Sequence, residues 1–203
     1  MISIDPAGQT DRENYKLLIG SVIPRPVALV TTLSKEGVLN AAPFSYFSIV
    51  ASQPPMLSVS VQRKSGVRKD TARNAVDTGS LVIHITDEAL VAKANATAAA
   101  LPPEESKVAR AGLTPIPSDC IPVPGLQEAR IRMECLLEQA IELGGTPDAP
   151  ACDLLIGRVV RFHIDEELYD GGSIPPEKLR PVARMAGNFY SSLGPLFEIE
   201  RPV

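Results

Sequence analysis

The stretch PRPVALVTTLSKEGVLNAAPF, residues 24–44, decides the fold. PRPVALVTTL (24–33) is rich in Val and Thr and reads as a strand. SKEG (34–37) ends in Gly and reads as a turn. The following VLNAAPFSYFSIV (38–50) reads as a second extended segment, with Pro43 expected to break it. Strand, short turn and strand make an antiparallel hairpin.

The pattern persists on either side. MLSVSVQ (56–62) alternates apolar and small polar residues, as a half-buried strand does. SLVIHIT (80–86), ARIRMECLLEQAIELG (129–144) and DLLIGRVVRFHID (153–165) are further strands, the last two antiparallel across GGTPDAP. Helices are expected at 11–20, with Asp11 as N-cap and Gly20 as stop, and at 70–79, with Asp70 or Thr71 as cap and Gly79 as stop. A third is expected at 87–100, and one helical turn each at ESKVARAG and within 177–185. The Pro-rich run 101–125 is expected to be an irregular crossing. About six or seven strands, two or three short helices and no βαβ alternation favour an antiparallel sheet closed toward a barrel with helices at its side. No internal repeat or linker divides the chain, so a single domain over 1–203, with its core at about 15–200, is expected.

Bulk composition excludes several classes of function. The chain is 44% hydrophobic and 22% charged, with a mean hydropathy of +0.06, a soluble globular balance. A pI near 5.3 argues against a nucleic-acid binder. No run of eighteen apolar residues exists to span a membrane, and no signal peptide opens the chain. Cys120, Cys135 and Cys152 form no CxxC pair, and His84 and His163 stand alone, so no zinc site is expected. The odd cysteine count suits a reducing, cytoplasmic setting.

Against this acidic background, RKSGVRKDTARN (63–74) gathers Arg63, Lys64, Arg68, Lys69 and Arg73 around a single acid, Asp70. It lies between a strand and a helix N-terminus. Cations, the Thr71 hydroxyl and free N–H groups together suit a phosphate; a solvated, charged loop is the plainer alternative. A second unusual stretch is LNAAPFSYFSIVASQPP (39–55), where Phe44, Tyr46 and Phe47 supply three of the chain's nine aromatic residues beside small ones. It reads either as a packed strand end or as a platform for a planar heteroaromatic. Taken together, the two stretches suit a ligand with a ring at one end and a phosphate at the other.

PRPVALVTT (24–32), NAAPFSYFSIVASQPPMLSVSV (40–61) and KDTARNAVDTGSLVIHI (69–85) carry a resemblance, supported by AGLTPIPS, ECLLEQAIELG, IGRVVRFHID and LRPVARMAGNFY further on. In this order and spacing the chain resembles the flavin reductase-like family of FMN-binding split barrels, and most nearly its flavoredoxin-like branch. The resemblance implies a mainly β fold, a Greek-key-like antiparallel split barrel of about six strands with flanking helices. It also implies a homodimer with FMN (FAD being the other option) at the subunit interface, and NADH or NADPH as electron donor. On this match Asn40, Phe44 and Ser45 lie along the ring. Lys69, Asp70 and Thr71 lie at the phosphate, with Arg63 assisting. Arg25, Thr32 and Ser60 are further binding candidates, and Tyr190 is an aromatic near the flavin with Arg184 as companion. No catalytic acid or base and no metal ligand is implied, and His84 and His163 are structural. The chemistry would be the flavin's. An FMN electron carrier without nicotinamide activity, a non-enzymatic split-barrel domain and the pyridoxamine-phosphate oxidase-like branch are the competing readings.

Overall fold

The structure is a computed structural model that describes residues 1–102 and 104–202. Its first helix, α1 (Asp11–Ser21), leads into a short strand β1 (Arg25–Pro26) and then β2 (Ala28–Leu33), β3 (Leu39–Phe44), β4 (Phe47–Ser52) and β5 (Pro55–Gln62). Helix α2 (Asp70–Thr78) and β6 (Ser80–Ile85) follow, then two short helices, α3 (Val91–Ala96) and α4 (Lys107–Arg110). A two-residue pair, β7 (Pro115–Ile116) and β8 (Gly125–Leu126), precedes the long hairpin of β9 (Ile131–Leu143) and β10 (Cys152–Ile164). Helix α5 (Pro176–Leu179) and the small strands β11 (Ala183–Arg184) and β12 (Tyr190–Ser191) complete the order.

The main sheet runs β3-β2-β6-β9-β10-β5-β4, antiparallel at every step. Strands β3 and β4 are consecutive in the chain, separated by Ser45 and Tyr46, yet they form the two ends of that order. A two-residue connection cannot cross a flat seven-stranded sheet, because neighbouring strands lie about 4.8 Å apart. The sheet therefore curls until its edges meet at this corner, where the Ser60 N–H donates to the Tyr46 carbonyl at 2.9 Å. This is the split barrel, with seven strands in its hydrogen-bonded order rather than the six implied by the resemblance. Pro43 does not break β3 but sits opposite Leu29 on this edge strand, where its missing N–H leaves no ladder bond unmade.

Strand β2 does not alternate in burial because both of its faces are covered. Val30, Ile83, Val59 and Leu155 fill the barrel, and Ala72 and Ala75 of α2 pack against them. Leu29 and Val82 point the other way, onto Leu90, Val108, Val123 and Leu126. The Pro-rich crossing is thus the outer layer over β2 and β6, pinned by Thr31 Oγ1 donating to the Pro124 carbonyl at 2.8 Å.

Several local expectations are corrected. Helix α1 is capped by Thr10, not Asp11, in a reciprocal capping box with Glu13, and it runs through Gly20 to Ser21. Helix α2 has Lys69 as its N-cap and no side-chain cap hydrogen bond, while Gly79 ends it in the left-handed region as expected. The helix expected over 87–100 is only Val91–Ala96, because Asp87 first closes a turn by accepting from the Leu90 N–H at 2.9 Å.

Both histidines have protein partners. His163 Nε2 lies 2.6 Å from the buried Glu134 carboxylate, which also accepts the Asp119 and Cys120 N–H groups. His84 is fully buried, with Nδ1 donating to the Leu29 carbonyl at 2.8 Å and Nε2 accepting from the Leu126 N–H at 3.0 Å. Both ring nitrogens serve the neutral form, and burial pushes the imidazole pKa down to about 4. The unfolded chain, titrating near 6.5, binds the extra proton first. This contribution to stability is complete above about pH 6.5 and is lost as pH falls toward 4, with a slope of about 1.4 kcal/mol per pH unit. Urea unfolding of the parent across pH 4–7 is expected to show that slope, and a His84→Gln variant is expected to show it flattened. Equal slopes in the two proteins would contradict the neutral buried imidazole.

Candidate functional site

Two cavities, of about 190 and 290 Å³, share Pro43, Phe44 and Lys69. They form one groove that crosses the barrel edge at the end of β3. On the β3 side the small residue Ala42 lies beside Pro43 in the wall of the second cavity.

One end is walled by Tyr15 and Ile19 of α1, by Ser45 and Tyr46 of the corner, and by Ser60 and Gln62 of β5. The β11–β12 hairpin supplies Arg184, Met185 and Gly187. Arg25 ties these parts together. Its guanidinium donates to the Ile19 carbonyl at 2.9 Å, to the Val22 carbonyl and to the Met185 carbonyl at 2.9 Å. A cation over the last carbonyls of α1 also opposes the negative end of that helix. Arg25 thus lines the groove, but its donors hold the wall in place. Tyr190 packs under Arg184, whose guanidinium carbon lies 4.6 Å from the ring centroid, and its hydroxyl reaches Asn95 Oδ1 at 3.4 Å. Tyr190 lines neither cavity and supports a residue that does.

The other end is basic. Lys64, Lys69 and Lys107 converge there with Asp70 and Thr71 of the α2 N-terminus, against a wall formed by 97–101. Burial lowers the Lys69 pKa, and the positive charges of Lys107 and Lys64 lower it further. Asp70 pairs with Arg73 at 2.7 Å and approaches Lys107 at 3.7 Å. Lys64 and Lys69 have no ion pair among the described residues. Thr71 is 2% exposed, and its Oγ1 accepts from Asn40 Nδ2 at 3.1 Å. That bond uses a lone pair and leaves the hydroxyl hydrogen for an acceptor in the cavity. Asn40 is therefore an orienting residue beneath the groove rather than a wall of it.

Two expected residues lie elsewhere. Arg63 lines neither cavity. Its guanidinium forms a fork with the buried Asp153 at 2.9 and 2.7 Å, and one nitrogen also reaches Glu142 at 2.7 Å. Arg68 donates to the same two carboxylates. Charge-assisted, bidentate pairing holds these guanidinium groups on the β9–β10 hairpin, which corrects the expectation that Arg63 assists at the phosphate. Burial alone would raise the Asp153 pKa, but the two arginines hold it below the usual carboxylate range. Thr32 is fully buried and takes a long hydrogen bond, 3.4 Å, from Asn74 Nδ2; it also lines neither cavity.

Lys107, Gln62, Tyr15 and Met185 line the groove without having been singled out from sequence. Only the i,i+4 spacing of Tyr15 and Ile19 on α1 was a signal there. Lys107 lies in the Pro-rich crossing, where no periodicity marks it. A larger cavity, about 680 Å³, opens elsewhere on the barrel among Phe47, Met133, Val159 and Phe162, and among the described residues its only polar side chains are Ser48 and Ser52. It offers volume with few polar groups to orient a ligand, so the groove is the better candidate.

Residues 19–181 match the flavin reductase like domain. The chain is 63% identical to nitrilotriacetate monooxygenase component B from Bacillus cereus, with a TM-score of 0.97 over 98% of each chain. It is 30% identical to the 2-nitrobenzoate 2-nitroreductase NbaA of Pseudomonas fluorescens, with a TM-score of 0.84 over 99% of this chain and 96% of that one. Flavoredoxin of Desulfovibrio vulgaris (Miyazaki F) is 26% identical, with a TM-score of 0.74 over 88% of this chain and 91% of that one.

The mutual repulsion of the three lysines is measurable. In Lys64→Gln and Lys107→Gln variants Lys69 is expected to titrate higher than in the parent, because a neighbouring positive charge is gone. The ¹³Cε shift of Lys69 followed through a pH titration reads this. An unchanged or lower Lys69 pKa in both variants would contradict the convergence.

Proposed function

The chain belongs to the flavin reductase-like family, and from that premise we propose that it is an FMN-binding oxidoreductase drawing electrons from NADH or NADPH. The observation that carries this reading is the asymmetry of the groove, with a ring-sized end over Pro43 and Phe44 and a three-lysine end at the α2 N-terminus. A phosphate monoester carries a charge of about −1.5 to −2 and three strong acceptor oxygens. The cavity offers ammonium groups, the Thr71 hydroxyl and the first N–H groups of a nine-residue helix that lacks a side-chain cap, so the residues present fit the group.

Lys69 and Thr71 would hold the phosphate, with Asp70 keeping Arg73 and Lys107 in register. Phe44 and Ser45 would run along the ring, and Ser60 and Gln62 would offer polar atoms at its edge. A flavin bound there supplies two-electron exchange between a reduced nicotinamide and an acceptor. The protein's own part is to orient the ring against the β3 edge and to leave one face reachable. Neither histidine lines the groove, so no side-chain base is assigned. The Bacillus cereus relative is named as a component of a monooxygenase, and this supports an acceptor that is a second protein or the flavin that protein uses. Likeness to flavoredoxin supports a second reading, an electron carrier that no nicotinamide reduces directly.

The whole chain would act as one flavin-binding domain, paired in a homodimer in the cytoplasm. Dimerisation is supported by apolar side chains left exposed: Leu18 on α1 and Val22 at its C-cap, Ile49 on β4, and Phe197 and Ile199 in the tail. Patches of this kind mark contact surfaces. Three unpaired cysteines suit a reducing compartment. Among the described residues, no helix is long and apolar enough to cross a membrane.

Anaerobic NADH or NADPH is expected to bleach the flavin band of the FMN-loaded protein, and a Lys69→Ala/Thr71→Ala variant is expected to lose FMN on dialysis. Each charge-assisted hydrogen bond lost costs about 1.5–3 kcal/mol. Flavin that stays oxidised with both donors moves the protein to the carrier reading, and full retention by the variant removes the phosphate assignment. Sedimentation is expected to give a dimer; a monomer that binds FMN tightly would refute the pairing.

A further inference from the structure

We propose that Lys107, delivered by the Pro-rich crossing, completes the anion cradle and makes it selective for a terminal phosphomonoester. The proposal rests on the FMN reading above and deepens it. Lys107 lies thirty-six residues beyond Thr71 in the chain and belongs to no recognisable basic cluster. The fold nevertheless fixes it in the cavity. Ser106, the N-cap of α4, accepts from the Ala109 N–H at 3.4 Å and donates to the Leu39 carbonyl at 2.8 Å, which docks the segment on β3 beside Asn40. Val108, the next residue, is 1% exposed in the outer core layer. Held on both sides, Lys107 extends its side chain toward the N-terminus of α2 and is itself 15% exposed.

The electrostatics at that point are unbalanced. Among the described residues Asp70 is the one carboxylate lining the cavity, and it already pairs with Arg73. Lys64, Lys69 and Lys107 therefore present three ammonium groups with at most a shared counter-charge. The buried Thr71 hydroxyl, oriented by Asn40, adds a directed donor. Three ammonium groups lining one cavity match the charge of about −1.5 to −2 on a terminal phosphate. Residues 97–101 form part of the same cavity's wall. A phosphate carrying a further nucleoside, as in FAD, needs room beyond its terminal oxygens and has less charge on any one phosphorus. Riboflavin brings no charge and leaves the lysines uncompensated.

The test compares dissociation constants for FMN, FAD and riboflavin, read from quenching of flavin fluorescence in the parent, Lys107→Gln, Lys107→Arg and Lys35→Gln proteins. Lys35 is an exposed residue paired with Asp77 and controls for net charge. The parent is expected to bind FMN more tightly than FAD or riboflavin. Lys107→Gln is expected to weaken FMN at least tenfold with riboflavin within twofold of the parent, Lys107→Arg to recover most of the loss, and Lys35→Gln to change nothing. FAD binding as tight as FMN overturns the selectivity. A Lys107→Gln protein that keeps the parent's FMN affinity, or that loses FMN and riboflavin alike, overturns the role of Lys107. A parent that binds no flavin refutes the FMN reading instead, and inorganic phosphate then tests the cradle alone. Thermal stabilisation by phosphate over chloride at equal ionic strength, lost in Lys107→Gln, supports it; no stabilisation of the parent overturns it.

Discussion

The closure at Ser45–Tyr46 is the constraint on which the rest of the molecule depends. Two consecutive strands occupy opposite ends of a seven-stranded hydrogen-bonding order, so the sheet must curl to bring them together. Tyr46 is tied to Ser60 across the gap, and the groove begins at that seam. An edge strand normally presents unpaired backbone groups that invite unwanted pairing. Here Pro43 removes one donor at the edge, and the remaining space is bounded by α1, the β11–β12 hairpin and α2. The same feature that closes the barrel leaves a groove at the seam, lined on the β3 side by Ala42, Pro43 and Phe44.

A second layer of order comes from how the basic segment is divided. Its five cations do not act as one patch. Asp153, buried on β10, takes Arg63 and Arg68 together with Glu142, and this cluster clamps the 63–68 loop to the long hairpin. Removing Asp153 leaves both guanidinium groups, Arg63's nearly buried, with the half-exposed Glu142 alone, which is costlier than losing a surface pair. Arg73 turns back to Asp70. Lys64 and Lys69 remain for the cavity, and Lys107 joins them from a different element. The guanidinium groups, with fixed planar donors, build the scaffold. The ammonium groups, compact and flexibly held, face the space where an anion would sit.

These two features make the flavin reading a physical one as well as a familial one. A ring platform at a barrel seam and a cationic pocket at a helix N-terminus lie along one groove, and no residue in it is assigned as an acid or base. On the proposed reading, such a site would bind and orient a flavin, whose own reactivity would supply the chemistry. The exposed apolar residues on α1, β4 and the tail lie outside the groove.

The sequence by itself determined the β2–β3 and β9–β10 hairpins, strands β5 and β6, the C-terminal stop of α2 at Gly79 and the two unusual stretches, 39–55 and 63–74, but not the corner at Ser45–Tyr46 that divides the expected segment 38–50 into β3 and β4. Periodicity, turn residues and charge runs are local properties, and they survive in the fold because they agree with it. The helix caps lie before the expected residues, at Thr10 rather than Asp11 and at Lys69 rather than Asp70 or Thr71, because the cap is set by backbone geometry that residue type alone does not specify. Only the tertiary structure decided which cations of the basic run face the cavity, since Asp153 lies some ninety residues away in the chain and reaches Arg63 only through the pairing of β5 with β10. It also decided that Thr32 is core, that Asn40 donates to Thr71, and that Lys107 lines the groove. Each of these depends on contacts between distant segments, and no local pattern encodes such a contact.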